Sequence, residues 1–330
     1  MTFRGFFRLA VLATLTLASI GVEAAYALTI ELKDVAADRI ERQRAAAVGA
    51  LPLPGTPDVG VLQERLREKG LTLAEPILIR IFKAESEVEI WKEKGGRYIL
   101  FATYPICYWS GTLGPKLRDG DRQAPEGFYT LTKSQTHHAG RWPRSLDIGF
   151  PNVLDQSQAR TGSNILIHGG CSSIGCFAMT NPVSDEIHQL TVAAIDAGEQ
   201  TVPVHIYPFR MTDKAMAAQK SSPWEAFWTN LKEGYDLFER TKHVPIISVC
   251  GGRYIFREAQ PKESAGPIEA CGPTLMAIRD QDQWLLHVPY PTGDLPKITT
   301  RAAAAPAIPQ MQSSIANEKP GPTFSWPLVR

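Results

Sequence analysis

Three β-rich runs set close together constrain this chain more than any other feature: residues 76–82 (PILIRIF), 87–92 (EVEIWK) and 98–104 (YILFATY). Branched and aromatic side chains in short runs favour extended backbone. The Lys94-Gly95-Gly96-Arg97 break between the last two is a hairpin signal, so a sheet begins here. Further strands are expected at residues 128–132, at 164–167 with His168 at the strand end, and at 202–209, while 244–249 and 253–256 read as a closing hairpin. Helical spacing occupies 61–70 and 224–240, the latter with Phe227, Leu231 and Leu237 or Phe238 facing inward. Asn181-Pro182 reads as an N-cap with a first-turn proline, followed by Val183, Ile187, Leu190 and Ala194 on one helical face. The expected fold class is therefore mostly β with flanking helices, α+β.

The ends of the chain read differently from its middle. Arg4 and Arg8 precede an uncharged apolar run that ends near the small-residue triplet Ala25-Tyr26-Ala27, the pattern of a secretory signal at residues 1–27. That run is too short to span a bilayer, and no stable membrane span is expected once the signal is cleaved. Removing it takes away Arg4, Arg8 and Glu23 and leaves a balanced charge, which argues against nucleic acid as a partner. Residues 28–74 are expected to be a linker and N-terminal helix, 75–257 the catalytic domain, 258–293 an extension, and 294–330 a disordered Ala/Pro-rich tail.

Export changes how the five cysteines are read, because an oxidising compartment pairs exposed thiols. An odd count leaves at least one of Cys107, Cys171, Cys176, Cys250 and Cys271 unpaired. Glycine-flanked Cys250 and Cys271 are expected to pair, since flexible backbone satisfies disulfide geometry. The informative stretch is residues 164–190, NILIHGGCSSIGCFAMTNPVSDEIHQL, with a strand-end histidine, a glycine- and serine-rich loop, and then Cys176 before a helix. An imidazole that accepts the thiol proton makes a thiolate available for attack. Gly175 admits close approach of a substrate carbonyl, and backbone N–H groups around Gly175 and Cys176 are candidates for holding an oxyanion. Two other readings use the same residues: a zinc site from His168, Cys171, Cys176 and His188, and a Cys171–Cys176 disulfide.

His168-Gly169 followed by Ser173-x-Gly175-Cys176 resembles the signature of the YkuD-type L,D-transpeptidases, cysteine enzymes that remodel peptidoglycan stem peptides. FKAESEVEIW, TYPICYWSGTLGPKLRDGDRQAPEGFY, GFPNVLD, IHGGCSSIGCFAMT and PFRMT are similar to the YafK-like subgroup over roughly residues 75–240. The resemblance implies a mostly β fold with a thiol in a cleft, Cys176 as nucleophile, His168 as base, and the Gly169 carbonyl as the group that orients the imidazole. It calls for no cofactor and no metal. It implies a periplasmic enzyme whose partners are peptidoglycan stem peptides and an outer-membrane lipoprotein attached to peptidoglycan.

Two positions depart from the wider family, which has histidine before the Gly-Cys pair and arginine two residues after the cysteine; here they are Ile174 and Ala178. The YafK-like members share the Ala-Met ending. The missing cation tilts the expectation towards hydrolysis of the amide joining a lipoprotein lysine to diaminopimelate, with cross-link formation as the alternative. A wall-binding module with a silent Cys176 is the alternative of another class. Arg210 in PFRMT is a candidate to replace the cation, with Tyr104 and Trp109 as further substrate contacts. Tyr108 is weighed with them, while Lys116, Arg118, Asp119, Asp121, His137 and His138 read as loop residues near a cleft.

Overall fold

The computed structural model describes residues 37–260 and 263–271, so the expected signal at 1–27 and tail at 294–330 lie outside the described residues. In chain order the strands are β1 (Ile77–Phe82), β2 (Glu87–Lys94), β3 (Arg97–Pro105), β4 (Tyr108–Trp109), β5 (Gly127–Leu131), β6 (Leu146–Asp147), β7 (Leu166–His168), β8 (Phe177–Ala178), β9 (Val202–Tyr207), β10 (Ile246–Cys250), β11 (Arg253–Arg257) and β12 (Glu269–Ala270). The helices are α1 (Ala37–Ala47), α2 (Leu62–Glu68), α3 (Val153–Ser157), α4 (Asn181–Asp196), α5 (Asp213–Ala217) and α6 (Glu225–Thr241). The result is an α+β fold dominated by sheets.

Five strands form the main sheet in the order β3-β2-β1-β9-β5, with β1 and β9 parallel and the other neighbours antiparallel. Every residue of β1 is buried, as a central strand covered on both faces requires. Strand alternation divides it: Ile77, Ile79 and Ile81 join the main core, while Leu78 and Phe82 face the other side. The main core lies between this sheet and a second one, β4-β8-β7-β6, which contributes Ile167 and Phe177. Val183, Ile187, Leu190 and Ala194 of α4 close it as their spacing predicts. On the opposite face, Trp228 and Leu231 of α6 pack with Phe82, Phe128 and Tyr207, and the β10–β11 hairpin adds Val249 and Tyr254.

One local reading is corrected and two are filled in. Thr180, not Asn181, is the N-cap of α4, which places Asn181 and Pro182 inside the first turn. The segment expected to hold a linker and N-terminal helix carries α1, which also docks: Arg39 is buried, stacks 3.7 Å from the centroid of a Trp109 ring and donates to the Trp109 and Gly111 carbonyls. Polar composition hid that docking because it is made by a guanidinium, through an aromatic ring and two backbone carbonyls, rather than by an apolar helix face. On α6 the fully buried tryptophan is Trp228, whereas Phe227 is half-buried.

One buried ion pair pins the long loop beside the second sheet. Lys83 Nζ donates to Glu126 Oε1 and to the Gly114 and Ala124 carbonyls, each at 2.9 Å, and Glu126 also accepts from Gly114 N and Trp228 Nε1. Removing one partner leaves the other charge buried and uncompensated. Glu126→Ala is therefore expected to destabilise the fold by about 3–5 kcal/mol in urea unfolding; a loss below about 1 kcal/mol would contradict this reading of the pair.

Candidate active site

The register of the second sheet sets Cys176 and His168 on one face. In the parallel pairing of β7 and β8, Ile167 lies opposite Phe177 and His168 opposite Ala178. Alternation then sends Ile167 and Phe177 into the main core, and His168, together with Cys176 one residue before Phe177, to the other face. Leu166 N–H donates to Cys176 Sγ at 3.3 Å, and the thiol points at the Asn164 carbonyl at 3.6 Å. The loop between the strands is closed at its base by Met179 N–H on the His168 carbonyl, 2.7 Å, and Cys171 N–H on the Met179 carbonyl, 3.2 Å.

The loop is also stapled. Cys107 and Cys171 are disulfide-bonded with Cα atoms 5.1 Å apart, Cys250 and Cys271 are disulfide-bonded at 5.3 Å, and Cys176 is free. Cys171 is thus unavailable both as a zinc ligand and as a partner for Cys176, and His188 Nε2 sits 2.7 Å from the Thr136 carbonyl. The Cys107–Cys171 bond closes a separation of 64 residues. Chain-entropy reasoning puts its contribution at about 4 kcal/mol. Cys107→Ser with Cys171→Ser is expected to lower stability by that order and to weaken activity, because Cys171 lies between the base and the thiol in sequence. Unchanged unfolding midpoint and turnover would refute it.

His168 is buried, and its Nδ1 lies 2.5 Å from the Gly169 carbonyl oxygen. A carbonyl accepts only, so Nδ1 carries the proton and Nε2 keeps the lone pair. Burial lowers the imidazole pKa below its ordinary 6.5; the Gly169 carbonyl opposes this, and the charges of Arg141 and His138 add to it. The thiol is pushed up from its ordinary 9.0, chiefly by burial and further by Asp147, with Leu166 N–H and Lys116 opposing. At neutral pH the thiol and the imidazole are therefore both uncharged.

The site loop differs in detail from the expectation for Gly175. Ser173 Oγ accepts from Gly175 N–H at 3.0 Å and donates to the Cys176 carbonyl at 2.7 Å, so Ser173 locks the turn and occupies the Gly175 donor. The N–H of Cys176 itself has no partner among the described residues and is the donor left for an oxyanion. Ile174, before Gly175, is 79% exposed.

The structure gives each of the three substrate-contact candidates partners within its own chain. Arg210 holds Glu87 and Glu89 on β2, both at 2.6 Å, and lies 4.4 Å from the Phe82 ring centroid. Tyr104 is fully buried, with its hydroxyl on Glu186 and Arg65, because the core claims its ring and an ion pair claims its oxygen. Trp109 pairs with Phe177, hence faces the core side of the sheet, and donates Nε1 to Ser86 Oγ at 3.2 Å.

Other residues act on the thiol or the imidazole. Asp147 on β6 lies opposite Leu166, in line with Cys176, and burial raises its pKa while Gly149 N–H opposes. Lys116 is buried and donates to Asp121 Oδ1 and the Arg118 carbonyl, making it an internal residue rather than a solvated turn. Trp142 stacks on the His168 ring, with centroids 5.0 Å apart and planes at 21°. Gly170, at φ +92°, leaves room for that indole, since a Cβ there would overlap its six-membered ring. Trp142 sits in a loop without periodicity, so no sequence pattern singles it out.

Comparison with known proteins places this geometry in context. The sequence model of the YkuD L,D-transpeptidase catalytic domain matches residues 77–206. The Escherichia coli K12 protein named "Putative L,D-transpeptidase YafK" is 43% identical over 203 residues, covering 62% of this chain and 82% of that protein, and its Escherichia coli O157:H7 counterpart matches to the same extent. The crystal structure of the helical cell shape determining protein Pgp2 from Campylobacter jejuni is 21% identical, with a TM-score of 0.32 and coverage of 55% of this chain and 68% of that one.

Proposed function

The chain belongs to the YkuD family of L,D-transpeptidase catalytic domains as a YafK-like member, and from that premise we propose that it is a periplasmic cysteine enzyme hydrolysing the diaminopimelate–lipoprotein amide on peptidoglycan stem peptides. The observation that carries this reading is His168 Nδ1 on the Gly169 carbonyl with Cys176 free on the same face, which leaves Nε2 as the base for the thiol. In the forward step Sγ attacks the amide carbonyl while Nε2 takes the thiol proton. The Cys176 N–H receives the developing oxyanion. The imidazolium then protonates the leaving lysine amine, and a thioester to Cys176 remains. Water, deprotonated by His168, attacks the thioester and releases a free carboxylate and the thiol.

Hydrolysis rather than transfer is supported by the two positions considered for holding an acceptor, Ala178 and Arg210. Holding an amine acceptor and excluding water calls for fixed charged contacts. Ala178 is buried and offers none, and Arg210 is committed to Glu87 and Glu89. Periplasmic placement is supported by the two disulfides and by the signal-like start of the sequence. Among the described residues no helix is long and apolar enough to cross a membrane.

The test supplies lipoprotein-linked muropeptide in one reaction and tetrapeptide muropeptides with excess amine acceptor in another. Release of lipoprotein peptide with no new cross-link is the expected result. Cross-linked dimers that disappear in Cys176→Ser would instead establish transfer, and no product in either would sink the reading.

A further inference from the structure

The segment between β5 and β6 carries a cation near the base that no carboxylate among the described residues engages. Arg144 on this segment contacts Asp185 at 3.2 Å, whereas Arg141 has no hydrogen bond or ion pair among the described residues. Its guanidinium lies 4.8 Å from a Trp142 ring centroid, and the same tryptophan stacks on His168 at 5.0 Å. Arg141 is exposed while Trp142 is half-buried and His168 buried, so the arrangement runs from solvent to base as guanidinium, indole, imidazole. We propose that Arg141, seated on Trp142 above His168, binds a free carboxylate of the donor stem peptide and so selects the substrate. The inference rests on the reading of Cys176 as the acyl-accepting thiol.

The chemistry follows from the stack. A guanidinium held by one face on an indole keeps its N–H edge outward, and that edge matches a carboxylate with two parallel hydrogen bonds. The contact is anchored at its inner end, because Gly170 lets the indole settle over the His168 loop. The charge of Arg141 is felt at His168, where it opposes protonation, which places the guanidinium within electrostatic reach of the reacting centre. A stem peptide is rich in carboxylates, and one neutralised there would hold the adjoining amide near Cys176. The other nearby cation, Lys116, is already occupied by Asp121 and is buried, so it has no free edge to offer.

The test separates this claim from the thiol reading by using two alkylating probes of like size, anionic iodoacetate and neutral iodoacetamide. In low salt the wild-type protein is expected to favour iodoacetate at Cys176, and Arg141→Gln to lower the iodoacetate-to-iodoacetamide rate ratio about three- to tenfold. Arg144→Gln, the same charge change at a residue paired with α4, is expected to leave the ratio unchanged. With muropeptide donors, Arg141→Gln is expected to raise KM about tenfold with kcat within about twofold. That rise should vanish for a donor whose carboxylates are amidated. Arg141→Lys keeps the charge without the bidentate edge and should recover the probe ratio but not the KM. An unchanged ratio and KM in Arg141→Gln would overturn the assignment. A wild-type Cys176 that reacts with neither probe would overturn the thiol reading and this inference with it.

Discussion

Cys176→Ser is expected to lose turnover by about 10⁴-fold or more while unfolding at the wild-type denaturant concentration. Oxygen for sulfur preserves the contacts with Leu166 N–H and the Asn164 carbonyl, so the loop has no reason to rearrange. The hydroxyl pKa, however, lies far above that of a thiol, and a histidine whose own pKa is depressed is too weak a base to offset the difference. The comparison is kcat/KM on lipoprotein-linked muropeptide together with a urea midpoint. Activity within tenfold of wild type would end the thiol mechanism. Lost activity with a collapsed midpoint would mean that the cysteine is structural.

His168→Gln is expected to reduce kcat by about 10²–10⁴-fold, the range for removing a general base. The wild-type pH profile supplies the signature. Because burial lowers the His168 pKa, the neutral base persists below pH 6.5, and kcat/KM is expected to rise through an acid limb centred under that value. In His168→Gln that limb disappears, and iodoacetamide reactivity of Cys176 should follow the raised thiol pKa, climbing with pH and still climbing past pH 9.0, where an ordinary thiol levels off. An acid limb retained in the variant would assign it to another group, with Asp147 first in line because it lies beside the thiol and burial raises its pKa.

What the sequence made legible depends on element length. The β1–β2–β3 runs, α4 and α6 are long enough for alternation or helical period to register, and they form where those patterns lie. The strands that build the site, β4, β6 and β8, have two residues each and carry no period at all. Asp147 and Trp142 were therefore invisible as neighbours of the thiol, although His168 and Cys176 could be read from the loop they bracket. The disulfide at Cys107 was hidden for another reason: its partner Cys171 is 64 residues away, and connectivity is not encoded in spacing.

Several conspicuous motifs prove to be partners of one another rather than of a substrate. PFRMT and FKAESEVEIW meet as Arg210 with Glu87 and Glu89. In GFPNVLD, Asn152 and Asp155 cap α3, and Asn152 also donates to the Phe128 carbonyl and the Tyr254 hydroxyl, tying β5 to the β10–β11 hairpin. Buried polar groups must be satisfied wherever they lie, so motifs rich in charge can mark internal joints as readily as functional surfaces. Arg210 was a reasonable candidate for a carboxylate from its type alone, and its two carboxylates turned out to be its own chain's.

A thioester at Cys176 is the central species of the proposed reaction, and it is open to direct observation. The enzyme is mixed with lipoprotein-linked muropeptide, quenched in acid within the first turnover, and the Cys176 peptide is read by mass spectrometry. The account predicts a mass increment equal to the muropeptide acyl group on Cys176, absent in Cys176→Ser and removed by hydroxylamine. Product formed in the same time course with Cys176 unmodified, or the acyl group on any other residue, would contradict it.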